Sequence, residues 1–77
     1  LVVDKTGATA IHSGVQVLGV WGEARGKDCA AGGNLLAHPG VPAAMGAAFE
    51  AAAGHLGERL MRALEAGLAA GGEAGPV

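Results

Sequence analysis

A chain of 77 residues holds one small domain at most, and at that size only about 60% of the unfolded surface is buried on folding. Eighteen of its apolar residues are Ala, its only aromatics are Trp21 and Phe49, and fifteen Gly raise the cost of ordering the backbone, so composition predicts an incomplete folding unit. A net charge of −2 with five scattered basic residues excludes nucleic acid and an acidic membrane surface as partners, and the single Cys29 excludes an internal disulfide.

The opening "LVVDKTG" has neither a Met nor a basic segment leading an apolar one, and it reads as the middle of a strand rather than a signal peptide. With no sign of an oxidising compartment, the expected location is cytoplasmic. Residues 1–21 are predicted to be a β-hairpin and further strand. Turn chemistry at Asp4-Lys5-Thr6-Gly7 joins an apolar start to an alternating stretch, with Ala8, Ala10 and His12 on one face and Thr9 and Ile11 on the other. Val15 to Trp21 is rich in β-branched residues and extends that strand or forms a short one, with a bend at Gly19.

Residues 22–40 read as a glycine-rich loop anchored by Leu35-Leu36-Ala37. A helix is predicted over 41–53, with Gly40 as its N-cap, Pro42 in its first turn and Met45, Ala48, Phe49 and Ala52 at i, i+3, i+4, i+7. The apolar run that starts it is stopped by Glu50, well short of the ~20 residues a bilayer span needs. Gly54 ends the helix, and a second is predicted over 55–70. Leu56, Leu60, Leu64 and Leu68 form one ridge of it, with Ala63 and Gly67 beside them, and Glu58 and Arg62 form an i, i+4 pair. Gly71-Gly72 stops this helix and leads into a tail over 71–77. The fold class is α+β.

"GEARGKDCAAGGN", Gly22 to Asn34, is the stretch that most resembles chemistry. It fails as a phosphate loop because Gly22 to Gly26 encloses three residues instead of four, and Asp28 stands where the magnesium-binding hydroxyl belongs. His12, Glu23, Asp28, Cys29, His38 and His55 fall into no metal-ligand spacing, so no metal and no cofactor are expected. Cys29 reads as a small buried thiol, since Asp28 offsets the charge of Lys27 that would activate it. His12 sits at a strand end, where a side chain projects into a cleft or bonds the following loop. Asn34 follows Gly32-Gly33, where its amide caps a turn or reaches a ligand.

Several ordered motifs resemble one family: Val2-Val3-Asp4 with Gly7, His12-Ser13-Gly14, Trp21-Gly22, "GKDCAAGGN", "MGAAFEAAAG", "LGERLMRALEAG" and "AAGGE". Together they are similar to the bacterial and archaeal proteins called domain of unknown function 1028. The resemblance implies a fragment of an Ntn-hydrolase-like αββα four-layer sandwich, with two stacked sheets covered by helices. It also implies a parent about three times as long, whose nucleophile precedes this chain and whose next strand follows Val77. Where relatives carry Cys, Gln and a Gly-His loop, this chain has Val17, Gly32 and Glu23.

On that resemblance, no residue here is catalytic, while His12, Trp21, Glu23 and Asn34 line or support a cleft for a small or peptide-like ligand. The expected function is amide-bond hydrolysis by analogy of fold. A non-catalytic binding or assembly role is the alternative, with a cell-wall ligand suggested by relatives fused to a peptidoglycan-binding module. A third reading has the Leu ridge assemble the chain into a homo-oligomer.

Overall fold

The computed structural model describes residues 1–14 and 16–74. Its elements, in chain order, are β1 (Val2–Val3), β2 (Thr9–Ala10), β3 (Gly22–Gly26), β4 (Cys29–Gly33), α1 (Val41–Ala51) and α2 (Leu56–Ala69). The two strand pairs are antiparallel hairpins, β1 with β2 and β3 with β4, and the fold is α+β.

The first hairpin turns where its sequence says it should. One carboxylate oxygen of Asp4, Oδ1, accepts from the Thr6 backbone N–H at 2.8 Å, the Thr6 hydroxyl at 2.6 Å and the Ala8 N–H at 3.1 Å, and Gly7 supplies a φ of +89°. Hydrogen bonding from Thr6 holds the Asp4 carboxyl below its ordinary value. Because the folded pKa is depressed, the turn gains from ionised Asp4 above the unfolded value near 3.8 and loses that gain as pH falls through the lower folded value. Acidification into that window is expected to shift the Thr6 and Ala8 amide resonances first, and Asp4→Asn is expected to abolish that titration. Past the turn the alternation holds: Thr9 and Ile11 are half-buried, while Ala8, Ala10 and His12 are exposed.

The next stretch departs from the strand its β-branched residues predict. Gln16 to Trp21 form no strand, and Val15 lies outside the described residues. Gly19 adopts a φ of +69°, which turns the backbone out of the extended path. The carbonyls of Leu18 and Val20 instead accept from the N–H groups of Leu35 and Leu36 at 3.3 and 2.9 Å. Conversely, the predicted loop over 22–40 is a hairpin for most of its first half. Its strands are small on one face because helices approach closely there: Gly22, Ala24 and Gly26 on β3 pair with Gly33, Ala31 and Cys29 on β4. A β-carbon at Gly22 would stand 2.4 Å from the Pro39 carbonyl oxygen, and one at Gly26 would collide with the Glu50 carboxylate. The glycines serve close packing rather than looseness.

Opposite faces of this hairpin meet different neighbours. Glu23, Arg25, Ala30 and Gly32 project towards the first hairpin, where Ser13 donates to Glu23 at 2.7 Å, Arg25 donates to the Thr9 hydroxyl at 3.4 Å and Ile11 lies over Gly32. The other face meets the helices. The layers therefore run hairpin, hairpin, helix pair.

α1 follows Gly40 as its N-cap, with Pro42 in its first turn, and ends at Ala51, two residues before the predicted limit of 53. α2 covers 56–69 of the predicted 55–70 and is capped by His55, whose Nδ1 accepts from the Glu58 N–H at 3.4 Å. Arg62 pairs with Glu65 at 2.7 Å rather than with Glu58. At the other end, Gly72 N–H bonds to Gly67 C=O and Gly71 N–H to Leu68 C=O at 2.9 and 3.1 Å, the two bonds of a Schellman motif. Positive φ values of +119° and +60° at those glycines permit it. The chain then folds back: Ala37 N–H bonds Gly72 C=O at 2.9 Å, Ala74 N–H bonds Leu35 C=O at 2.7 Å, and Leu36 bridges Glu73.

The helices touch through small residues. Ala63 and Gly67 of α2 are buried, and Gly67 sits under the Met45 side chain. Val41, Pro42, Phe49 and Ala63 form the apolar core, and the guanidinium of Arg59 lies 4.1 Å from the Phe49 ring centroid. The leucine ridge faces away from this core, so its four residues remain half or more exposed.

Candidate functional site

Two of the three histidines are structural. His38 joins the helix ends, with Nδ1 accepting from Gly40 N–H at 3.1 Å and Nε2 donating to the Ala70 carbonyl at the end of α2. His55 caps α2. His12 is the third, and it lies on a cleft.

That cleft, about 470 Å³, opens between the loop leaving the first hairpin and the end of β4, and His12, Ser13, Gln16, Gly33 and Asn34 line it. His12 is placed by the period-2 pattern that begins at Ala8 and leaves it on the exposed side of its strand end. Asn34 arrives because β4 ends at Gly33 and the chain turns there, with Leu35 at a φ of +53°. Glu23 supports the cleft through the Ser13 hydroxyl at 2.7 Å. Of the four residues expected from sequence, His12 and Asn34 thus meet in one cleft and Glu23 stands behind its wall. Trp21 is not among the lining residues; it is 45% exposed just before β3. Ser13 and Gln16 carry no local signal for this place, because their surroundings depend on neighbours ten or more positions away. The only signal was Ser13's place beside His12.

The arrangement supplies hydrogen bonds in both directions. Asn34 and Gln16 each carry a carbonyl acceptor and an amide donor, and His12 adds one of each when neutral. A peptide group presents the complementary pair.

Cys29 lies on the other face of β4, towards α1. Glu50 reaches this turn from α1: its Oε1 accepts from Lys27 N–H at 2.8 Å and lies 3.9 Å from the Cys29 sulfur. Burial pushes the half-buried thiol's pKa up, and the Glu50 carboxylate adds to the shift. The thiol is therefore protonated at neutral pH and a poor nucleophile. Glu50→Gln removes one of these causes and is expected to lower the thiol pKa, so that alkylation by iodoacetamide reaches half its limiting rate at lower pH than in the parent chain. An unchanged rate–pH curve would assign the shift to burial and the Asp28 carboxylate, with no part from Glu50.

Among the described residues no group of three His, Cys, Asp or Glu side chains gathers to hold a metal ion, and no helix is long and apolar enough to cross a membrane. Layered hairpins under a helix pair, with a polar cleft built on strand ends, define an α+β arrangement. The chain belongs to the family described as Family of unknown function (DUF1028), whose model matches residues 1–77. No curated protein and no solved structure matches it.

Proposed function

We propose that this chain carries the ligand-binding cleft of an Ntn-hydrolase-like protein that handles small, amide-bearing, peptide-like molecules, and that it binds rather than cleaves. The observation carrying this reading is the convergence of His12, Gln16 and Asn34 on one cleft whose wall is fixed by the Ser13–Glu23 hydrogen bond. The side-chain amides of Gln16 and Asn34 pair with a ligand's C=O and N–H, and His12 orients its polar end. Binding in place of cleavage is supported by the state of the Cys29 thiol, which is protonated and lies on the opposite face of its hairpin from the cleft.

The second reading narrows the ligand to a cell-wall peptide held in a purely assembling role. Titration of the labelled chain with a di- or tripeptide amide is expected to shift the resonances of His12, Gln16 and Asn34, and Asn34→Ala is expected to weaken binding about tenfold, the loss of about one hydrogen bond. If peptide amides leave those residues unmoved at millimolar concentration, the proposal fails. Tighter binding of a cell-wall peptide than of simple amides would select the second reading.

A further inference from the structure

Among the described residues, the non-glycine positions with a positive φ are Asp28 at +60° and Leu35 at +53°. Asp28 occupies the tight turn between β3 and β4, and its short polar side chain tolerates the left-handed region. Leucine does not tolerate it, because its β-carbon crowds the following carbonyl oxygen. The Leu35 side chain is 45% exposed, so burial does not offset that cost. A strained residue of this kind persists only where its surroundings leave the backbone no other path.

At Leu35 those surroundings are hydrogen bonds on both sides. Its N–H donates to the Leu18 carbonyl at 3.3 Å, its C=O accepts from Ala74 N–H at 2.7 Å, and Leu36 N–H donates to the Val20 carbonyl at 2.9 Å. Gly19, bracketed by Leu18 and Val20, has a φ of +69°. A β-carbon on Gly19 would lie 2.8 Å from Leu35 Cδ2 and 3.2 Å from Leu35 Cα, so two left-handed residues from distant parts of the chain stand back to back. This contact lies where the walls of the polar cleft come together: Gln16 and Leu18 belong to one wall, Gly33 and Asn34 to the other.

Taking that cleft as the peptide-amide site proposed above, we infer that Leu35 is its positioning residue, whose left-handed backbone sets the aim of Asn34 and ties the Asn34 wall to the Gln16 wall. β4 is extended as far as Gly33, and an extended residue at 35 would carry the chain on in the strand direction. The positive φ turns it instead, and the peptide group joining Asn34 to Leu35 is the one whose N–H meets Leu18. The Asn34 side chain branches from the Cα that bounds this peptide group, and Gln16 lies two residues before Leu18 on the opposite wall. One hydrogen bond therefore fixes the two amide side chains relative to each other. The leucine side chain also covers Gly19, which a glycine in its place would not do.

Backbone preference and side-chain character can be set against each other at this position. Leu35→Val keeps an apolar side chain but resists the left-handed region, whereas Leu35→Gly and Leu35→Asn lose the apolar side chain and adopt that region readily. A di- or tripeptide amide is expected to bind Leu35→Gly and Leu35→Asn within about threefold of the parent chain and Leu35→Val about tenfold more weakly, with helical circular dichroism retained in all three. In the free chain, Leu35→Val is expected to speed hydrogen exchange at Ala74 and to move the side-chain amide resonances of Gln16 and Asn34 together, while Leu35→Gly leaves exchange at Ala74 slow. Should Leu35→Val lose its helicity, Leu35→Ala, which opposes the left-handed region less strongly, replaces it with the same direction of change. Equal weakening by Leu35→Gly and Leu35→Val would put the effect in the side chain and overturn the inference. So would Gln16 and Asn34 resonances that Leu35→Val leaves unmoved. A parent chain that binds no peptide amide sinks the binding reading alone, because exchange and resonances of the free chain still decide whether Leu35 joins the two walls.

Discussion

Replacing Phe49 with Ala is expected to cost about 3–5 kcal/mol of unfolding free energy, the range for truncating a buried aromatic. Native domains are stable by only about 5–15 kcal/mol, so a change of this size is a large part of the whole. The cost is high because the core is small. Phe49 is the only aromatic among the buried residues, and Ala63 and Val41 cannot fill the space it would leave. Arg59 loses as well: its guanidinium stacks on the ring at 4.1 Å, and its Nε is buried with no hydrogen-bond partner. Phe49→Leu keeps most of the volume and is expected to recover more than half of the loss. Urea melts followed by circular dichroism measure both, and a Phe49→Ala loss below about 1 kcal/mol would show that the helices do not depend on this core.

Gly22→Ala is expected to be comparably severe for a different reason. A β-carbon there meets backbone rather than a side chain, with the Pro39 oxygen at 2.4 Å and its carbonyl carbon at 3.2 Å. No rotamer change relieves that contact. Either β3 moves away from the turn that starts α1, or α1 shifts along the sheet. Overpacking of this kind costs about 1–3 kcal/mol and often more where backbone must move. Gly46→Ala is the control, since nothing stands within 4 Å of a β-carbon there and helix propensity favours Ala by about 1 kcal/mol. Opposite signs are expected for the two substitutions in one thermal melt. A neutral Gly22→Ala would mean that the approach of β3 to Pro39 is not required.

Both predictions concern features that were unequally visible in the sequence. The helices were legible because Met45, Ala48, Phe49 and Ala52 repeat at helical spacing, and Gly71-Gly72 ends α2 by the expected chemistry. The hairpin β3–β4 was not, because glycine signals a flexible loop unless a close neighbour requires it, and that neighbour is set by tertiary packing. Glu23 and Arg25 alternating with Gly22, Ala24 and Gly26 held the period-2 pattern, masked by residues with almost no hydrophobicity. Val17 to Trp21 misled in the opposite direction, since β-branched side chains outweighed the single turn-forming Gly19. At the cleft, His12 and Asn34 were legible as residues at element ends. Gln16 was not, because it meets Asn34 only through the fold.

The return of Gly72 to Ala74 alongside Leu35 to Ala37 has a mechanical meaning. It buckles the helical half of the molecule into a closed belt, fastened at one end by the Ala52–His55 connection and at the other by backbone bonds. A protease that nicks the exposed Gly54 would open one fastening only. The severed pieces would stay clasped, and a cut chain would run intact on a native gel while separating under denaturant.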